Sequence, residues 1–162
     1  MNAQLAAALV IGGISAKTSL EQLQINKPMY HYASQALYVL GWTVLAYVLS
    51  QRGFGVGPKL AYGLDLTVIL ACMAVAGAGL AVSFEQQEGQ ELSPHWLALH
   101  GLGWLGVGWL IGQRQPLYGV LIPALALAAQ YLVIPREKSL ELTNGPGAYL
   151  YGLAWMLVQA NV

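Results

Sequence analysis

The sequence predicts an all-α integral membrane protein, a bundle of six transmembrane helices built from three helical-hairpin repeats. Three observations lead to this fold class. The chain carries little charge, its apolar stretches are long enough to cross a bilayer, and a motif of leucine, glycine and tryptophan recurs three times. We expect residues 1–162 to form a single membrane domain.

The composition separates this chain from soluble proteins. Of its 162 residues, 57% are apolar and 9% are charged, whereas soluble domains carry about 25% charged residues. Seven basic residues balance seven acidic ones, so nucleic acid is not an expected partner. The single cysteine, Cys72, excludes a disulfide framework and a thiolate zinc site. We therefore expect the lipid bilayer to be the main surroundings of the chain.

Four stretches are apolar over most of the roughly 20 residues that a helix needs to cross a bilayer core of about 30 Å. They are Tyr30–Ser50, Leu60–Phe84, His95–Gly112 and Leu117–Ile134. Continuous runs rich in Ala, Leu and Gly favour helices over the alternating pattern of membrane β-strands. Hydropathy alone therefore predicts four transmembrane helices.

Two shorter apolar stretches, Ala3–Ala16 and Ala148–Asn161, lie near the two ends of the sequence. The first has the length of a signal peptide, but no Lys or Arg precedes it and Ser15-Ala16-Lys17 is a poor cleavage site. Whether these stretches are also membrane helices depends on the internal repeat.

The motif that recurs is centred on a tryptophan. Leu37–Trp42 (LYVLGW) is matched by Leu99–Trp104 (LHGLGW) and by Leu150–Trp155 (LYGLAW). The first two copies are followed by the same dipeptide, at Gln51-Arg52 and Gln113-Arg114. These matches predict an internal repeat.

Each repeat is predicted to be a helical hairpin whose polar connector ends in proline, over approximately residues 1–52, 53–114 and 115–162. A single hairpin cannot bury its own faces, so repeated units pack against one another. The two terminal stretches occupy positions equivalent to the longer ones. We therefore predict six membrane helices, with both termini on the same side.

Small residues and tryptophans are the predicted contacts between helices. Gly108 and Gly112 have the four-residue spacing that lets helix backbones approach closely. Trp42, Trp104 and Trp155 lie several residues inside their spans. We interpret them as packing residues rather than interfacial ones.

Asp65 is the first candidate functional residue, because it is the one formal charge inside a predicted span. It lies five residues after Leu60, about 7–8 Å into that helix. Its nearest basic residues in the predicted topology are Lys59, Arg52 and Arg114. An intramembrane carboxylate indicates a functional site, and a structural ion pair is the alternative.

His100 is the second candidate, because it replaces the tyrosine of the other two copies, Tyr38 and Tyr151. It has the chemistry to titrate or to bind a cofactor, although an inter-helix hydrogen bond is the more common role. His95 lies about 140° from it around a helix, so the two do not share a metal. We predict no catalytic residue, no cofactor and no metal site.

Charge does not determine the orientation in the membrane. We name side A the side with the hairpin connectors, and side B the side with the termini and the other two loops. Side A carries four Lys and Arg residues and side B three, a difference too small for the positive-inside rule. Six of the seven acidic residues are on side A.

The preferred functional hypothesis is a non-enzymatic structural protein, a small subunit of a larger membrane assembly or membrane-containing particle. It would bind other membrane subunits or copies of itself. The alternative is a small transporter or channel for an ion or solute with a path between the repeats, in which Asp65 and His100 are the proton or substrate groups. A membrane enzyme is a weaker third option, since no catalytic constellation is present.

The glycine-rich segment Gly53–Pro58 is interpreted as a flexible turn.

Overall fold

The computed structural model describes residues 3–25, 27–87, 91, 93–130 and 146–162. This part of the chain is helical and contains no β-strand, which confirms the predicted all-α class. The end of the predicted span Leu117–Ile134, from residue 131, lies outside it. The helices are α1 (Ala3–Gln22), α2 (Pro28–Gln51), α3 (Leu66–Gln87), α4 (Pro94–Gly112), α5 (Pro116–Ala128) and α6 (Pro146–Ala160).

Proline begins four of the six helices, at Pro28, Pro94, Pro116 and Pro146. Proline suits the first helical position because its φ angle is already helical and its missing N–H would have no partner there. These helix starts are therefore determined locally by the sequence.

Helix α3 begins at Leu66, six residues after the predicted start of that span at Leu60. A 3₁₀ turn, Ala61–Gly63, lies between these two positions, and a backbone bridge joins Lys59 to Asp65 across it. Gly63 has a φ angle of 73°, a conformation that interrupts a helix and that glycine adopts without strain. Asp65 therefore precedes the helix instead of lying five residues within it.

The six helices form a closed ring in chain order, because each helix packs against the next and α6 also packs against α1. Neighbouring helices run antiparallel. For example, Gly13 of α1 lies beside Tyr38 of α2, whereas Gly41 of α2 lies beside Val10 of α1. The C-terminal ends of α1 and α3 and the starts of α2 and α4 are thus at side A, and the loops 52–65 and 113–115 are at side B.

Helices α4 and α5 approach most closely where glycines meet. A Cβ atom on Gly108 would lie 2.6 Å from the carbonyl oxygen of Gly119, and one on Gly112 would lie 3.1 Å from Gly119 Cα. Pro123 of α5 contacts the same face of Gly108. The four-residue glycine spacing is therefore used in the contact between α4 and α5.

In the part of the chain that the structure describes, two helices are long and apolar enough to cross a membrane, Pro28–Gln51 and Leu66–Glu85. The helical stretches Ala3–Lys17 and Pro116–Ala128 are apolar but shorter. Length and composition of the helices thus give weak support for membrane association.

We predict that Gly119→Ala destabilises the protein by about 1–3 kcal/mol, because the added methyl group overlaps the backbone of α4. Unfolding in detergent, followed by circular dichroism, measures the loss. The matched control is Gly77→Ala, since nothing lies within 4 Å of a Cβ atom at Gly77. Its stability should stay unchanged or rise by about 0.5–1 kcal/mol. Equal effects of the two substitutions would contradict the close packing of α4 on α5.

Candidate functional site

Three tryptophans meet inside the helix ring. Trp42 of α2, Trp104 of α4 and Trp155 of α6 are each at most 1% exposed. Their ring centroids lie 4.8, 5.2 and 5.9 Å apart, and each pair is edge to face, a favourable geometry for aromatic rings. Because α2, α4 and α6 are not neighbours in the ring, these side chains fill its interior. We refer to the three residues as the tryptophan core.

Polar side chains lie one helical turn away from the tryptophan core. Tyr38, His100 and Tyr151 each precede a core tryptophan by four residues. The Tyr38 hydroxyl is 3.4 Å from His100 Nε2, and Nε2 of Gln130 is 3.1 Å from the same nitrogen. Tyr151 packs edge to face on Trp104. His100 therefore links α2, α4 and the segment after α5, as an inter-helix hydrogen-bonding residue does.

Several buried polar atoms of this region have no hydrogen-bond partner among the described residues. They include the three indole nitrogens of the tryptophan core, His100 Nδ1 and the Tyr151 hydroxyl. The described residues contain no group of three His, Cys, Asp or Glu side chains able to hold a metal ion. The interior is thus polar in places but offers no metal-ligand set in the part of the chain described.

Asp65 organises the loop at side B. Its side chain is 1% exposed, and Oδ1 accepts hydrogen bonds from the backbone N–H groups of Thr67 (2.9 Å) and Val68 (3.3 Å), which is the arrangement of a helix N-cap. Lys59 Nζ lies 3.2 Å from Oδ2. The Asp65 N–H donates to Ser50 Oγ at 3.0 Å. The Asp65 carboxylate therefore caps the start of α3, while the Asp65 backbone N–H is hydrogen-bonded to the end of α2.

The same contacts determine the pKa of Asp65. Burial raises the pKa, but hydrogen bonds from Thr67, Lys59 and the backbone of Val68 together lower it from 3.8 to about 2. The carboxylate is thus ionised at neutral pH and is already engaged by its neighbours. This arrangement favours the structural ion pair over a proton-carrying role.

The glycine-rich segment Gly53–Pro58 is fixed against Asp65. Gly55 has a φ angle of 97°, and a Cβ atom there would lie 2.5 Å from Cγ of Asp65. The Gly57 N–H donates to Asp65 Oδ1 at 3.4 Å, and the Val56 N–H donates to Thr67 Oγ1 at 3.2 Å. Hydrogen bonds therefore hold the segment that the sequence indicated to be a flexible turn.

The structure does not bring the two candidate residues together. Asp65 precedes α3 at side B, whereas His100 is the seventh residue of α4, which begins at side A. Ser50 and Thr67, the partners of Asp65, are not among the functional residues predicted from the sequence. An aspartate directly before an apolar run is a helix N-cap signal, and it would have indicated this role.

Comparison with known protein families, with curated proteins and with solved structures finds no match to this chain. Its function must therefore be inferred from its own geometry.

Replacing Trp104 by alanine should destabilise the protein by about 3–5 kcal/mol, because it opens a large cavity between three helices. Chemical unfolding in detergent gives the value. Trp109→Ala is the control on the same helix, since Trp109 is 52% exposed and its loss should cost about 0.5 kcal/mol or less. A Trp104 variant as stable as the Trp109 variant would contradict a tightly packed core.

The pKa of Asp65 predicts an acid-sensitive contribution to stability. Because the folded pKa, about 2, is below the unfolded value of 3.8, this contribution is complete above pH 4 and is lost as the pH falls to about 2. Asp65→Asn should be less stable at neutral pH and should lack this loss. Unfolding midpoints measured between pH 2 and pH 7 test the difference. Glu91→Gln, at an exposed carboxyl group on side A, is the control variant. An unchanged pH profile in Asp65→Asn would refute the assignment.

Proposed function

We propose that the chain is a structural multi-pass membrane protein with six transmembrane helices in three hairpin repeats. Its role is that of a small subunit in a larger membrane assembly or membrane-containing particle. The observation that carries this proposal is the tryptophan core, which occupies the space where a transport path between the repeats would run.

The distribution of polarity supports six membrane spans. No Asp, Glu, Lys or Arg occurs in residues 3–16, 28–51, 66–84, 94–112, 116–130 or 146–160. Buried polar residues such as Gln35 and Ser83, which are hydrogen-bonded at 3.1 Å, face inward, as groups that lipid cannot solvate must. All six helices expose large apolar side chains: Leu5, Ile11, Leu40, Tyr47, Leu70, Met73, Leu102, Leu105, Leu117, Val120, Leu153 and Met156.

Equivalent contacts in two hairpins support the repeat. A Cβ atom on Gly41 would lie 2.8 Å from the backbone nitrogen of Val10, and one on Gly103 would lie 2.7 Å from that of Val75. In each hairpin, the glycine before the core tryptophan therefore receives a valine of the preceding helix. The third copy has Ala154 at this position, which is also fully buried.

The tryptophan core favours a structural role over the alternative, a transporter or channel. Three mutually packed indole side chains fill the ring interior. The two candidate proton or substrate groups, Asp65 and His100, are separated from each other. Asp65 is bonded to Lys59 and to the start of α3, and His100 contacts Tyr38 and Gln130. Neither side chain is part of a chain of polar groups that crosses the described residues.

Two glycines with free space around them lie on the outer surface of the helix ring, and we assign this surface to helix association. Gly12 of α1 and Gly77 of α3 are exposed, and nothing lies within 4 Å of a Cβ atom at either position. Each follows the valine of the equivalent contact, Val10 or Val75, by two residues. Small residues on a lipid-facing surface allow a second helix to approach closely. These positions therefore suit contacts with other membrane subunits or with a second copy.

The test of this function is the size of the assembly after gentle extraction into polymer nanodiscs. We expect the parent chain to retain copies of itself or other membrane proteins. Gly77→Leu should release it as a monomer, because the larger side chain blocks the approach of a partner helix without touching its own core. Gly77→Ala, with a single added methyl group, serves as the control.

Extraction of the parent only as a monomer would remove the support for an assembly role. Solute or proton flux in proteoliposomes that is abolished by Asp65→Asn would favour the transporter instead.

A further inference from the structure

Among the described residues, the exposed charged side chains at side B are all positive. Arg52, Lys59 and Arg114 are exposed there. Asp65, the only acidic side chain of this side in the described ranges, is 1% exposed and is enclosed by its hydrogen bonds. Lys59 keeps 54% of its side chain exposed while it pairs with Asp65. No acidic side chain of the described residues pairs with Arg52 or Arg114.

The guanidinium group of Arg114 is held in place by its neighbours. Its Cζ atom lies 4.1 Å from the centroid of the buried Phe54 ring, and it donates a hydrogen bond to the carbonyl oxygen of Arg52. This contact joins the end of α4 to the end of α2. The Arg114 guanidinium is therefore held in a defined position beside the backbone of Arg52.

The same loop presents apolar side chains outward. Tyr62 is 87% exposed, Val56 is 67% exposed and Leu60 is 45% exposed. Tyr62 has a φ angle of 61°, which is unfavourable for a bulky residue, and its carbonyl oxygen accepts a hydrogen bond from Gln51 Nε2 at 2.7 Å. The backbone of Tyr62 is therefore strained, and the Tyr62 side chain extends outward from the protein.

We propose that side B binds anionic phospholipid, with Arg52, Lys59 and Arg114 at the headgroup phosphate and with Tyr62 and Leu60 at the boundary of the acyl chains. This inference rests on the proposed function, in which the helices cross a bilayer. Basic side chains attract anionic headgroups by about 1 kcal/mol each, and tyrosine concentrates at the membrane interface. Side B combines cations with exposed apolar side chains. An anionic phospholipid has both a negative headgroup and apolar acyl chains, so it matches this surface better than an acidic protein segment in water does.

The experiment reconstitutes the full chain into lipid vesicles and measures how strongly brominated lipids quench its tryptophan fluorescence. Trp109 is exposed and lies one turn from the side B end of α4. Equimolar phosphatidylglycerol and phosphatidylcholine are mixed, with only one of the two brominated in each sample. We expect brominated phosphatidylglycerol to quench more strongly in the parent, with a preference that declines as salt is added. Trp109→Phe identifies the part of the signal that comes from this residue.

The variants separate charge, anchoring and general stability. Arg52→Gln should reduce the preference for phosphatidylglycerol about fivefold, which corresponds to about 1 kcal/mol per cation, and Arg52→Lys should retain it. Lys27→Gln at side A is the matched control and should leave the preference unchanged. Tyr62→Gly should weaken quenching by both lipids near Trp109 while leaving stability in detergent equal to or above that of the parent, because glycine removes the strain.

The outcomes distinguish this inference from the proposed function. Equal quenching by the two lipids in the parent would overturn the lipid inference and leave the membrane proposal standing. Absence of quenching by either lipid would overturn both. A preference abolished by inorganic phosphate, but not by chloride at equal ionic strength, would assign the site to a soluble anion. Binding of a polyglutamate peptide that depends on Arg52, without any lipid preference, would assign it to a protein partner.

Discussion

The arrangement of the whole molecule depends on the mutual packing of three tryptophans from helices that are not neighbours. In the bilayer proposed for this chain, helices gain little from the hydrophobic effect, so their association relies on close packing and on hydrogen bonds. The indoles of Trp42, Trp104 and Trp155 reach into the ring interior and contact one another there. They connect α2, α4 and α6 across the ring, and α1, α3 and α5 lie between these helices around it.

Glycine has the opposite role on the same helices. The residue directly before Trp42 and Trp104 is Gly41 or Gly103, and each receives the backbone of a neighbouring helix. The glycine and the tryptophan are consecutive in the chain, so they face different sides of one helix. The tryptophan points into the ring, and the glycine lets the neighbouring helix approach. The motif therefore encodes two contacts at once, one across the ring and one along it.

The two polar regions of the protein serve different ends. His100, Tyr38 and Gln130 form contacts between helices inside the ring, where unpaired polar groups are costly. Asp65 instead holds a loop at side B and leaves the outward charge of that side positive. The first set of contacts therefore joins helices inside the ring, and the second fixes the loop before α3.

The sequence by itself determined the helical class, the positions of most helices and the residues that would pack. These properties follow from local signals: apolar runs, prolines at helix starts and a motif read three times. Hydropathy placed the start of α3 too early, because Leu60–Leu64 is mostly apolar, whereas the cap at Asp65 decides where that helix begins. Only the tertiary structure decided that the three tryptophans touch, that His100 contacts Tyr38 and Gln130, and that Asp65 is enclosed in a loop. These are contacts between side chains brought together by folding, and neither composition nor local pattern specifies which distant residues will meet.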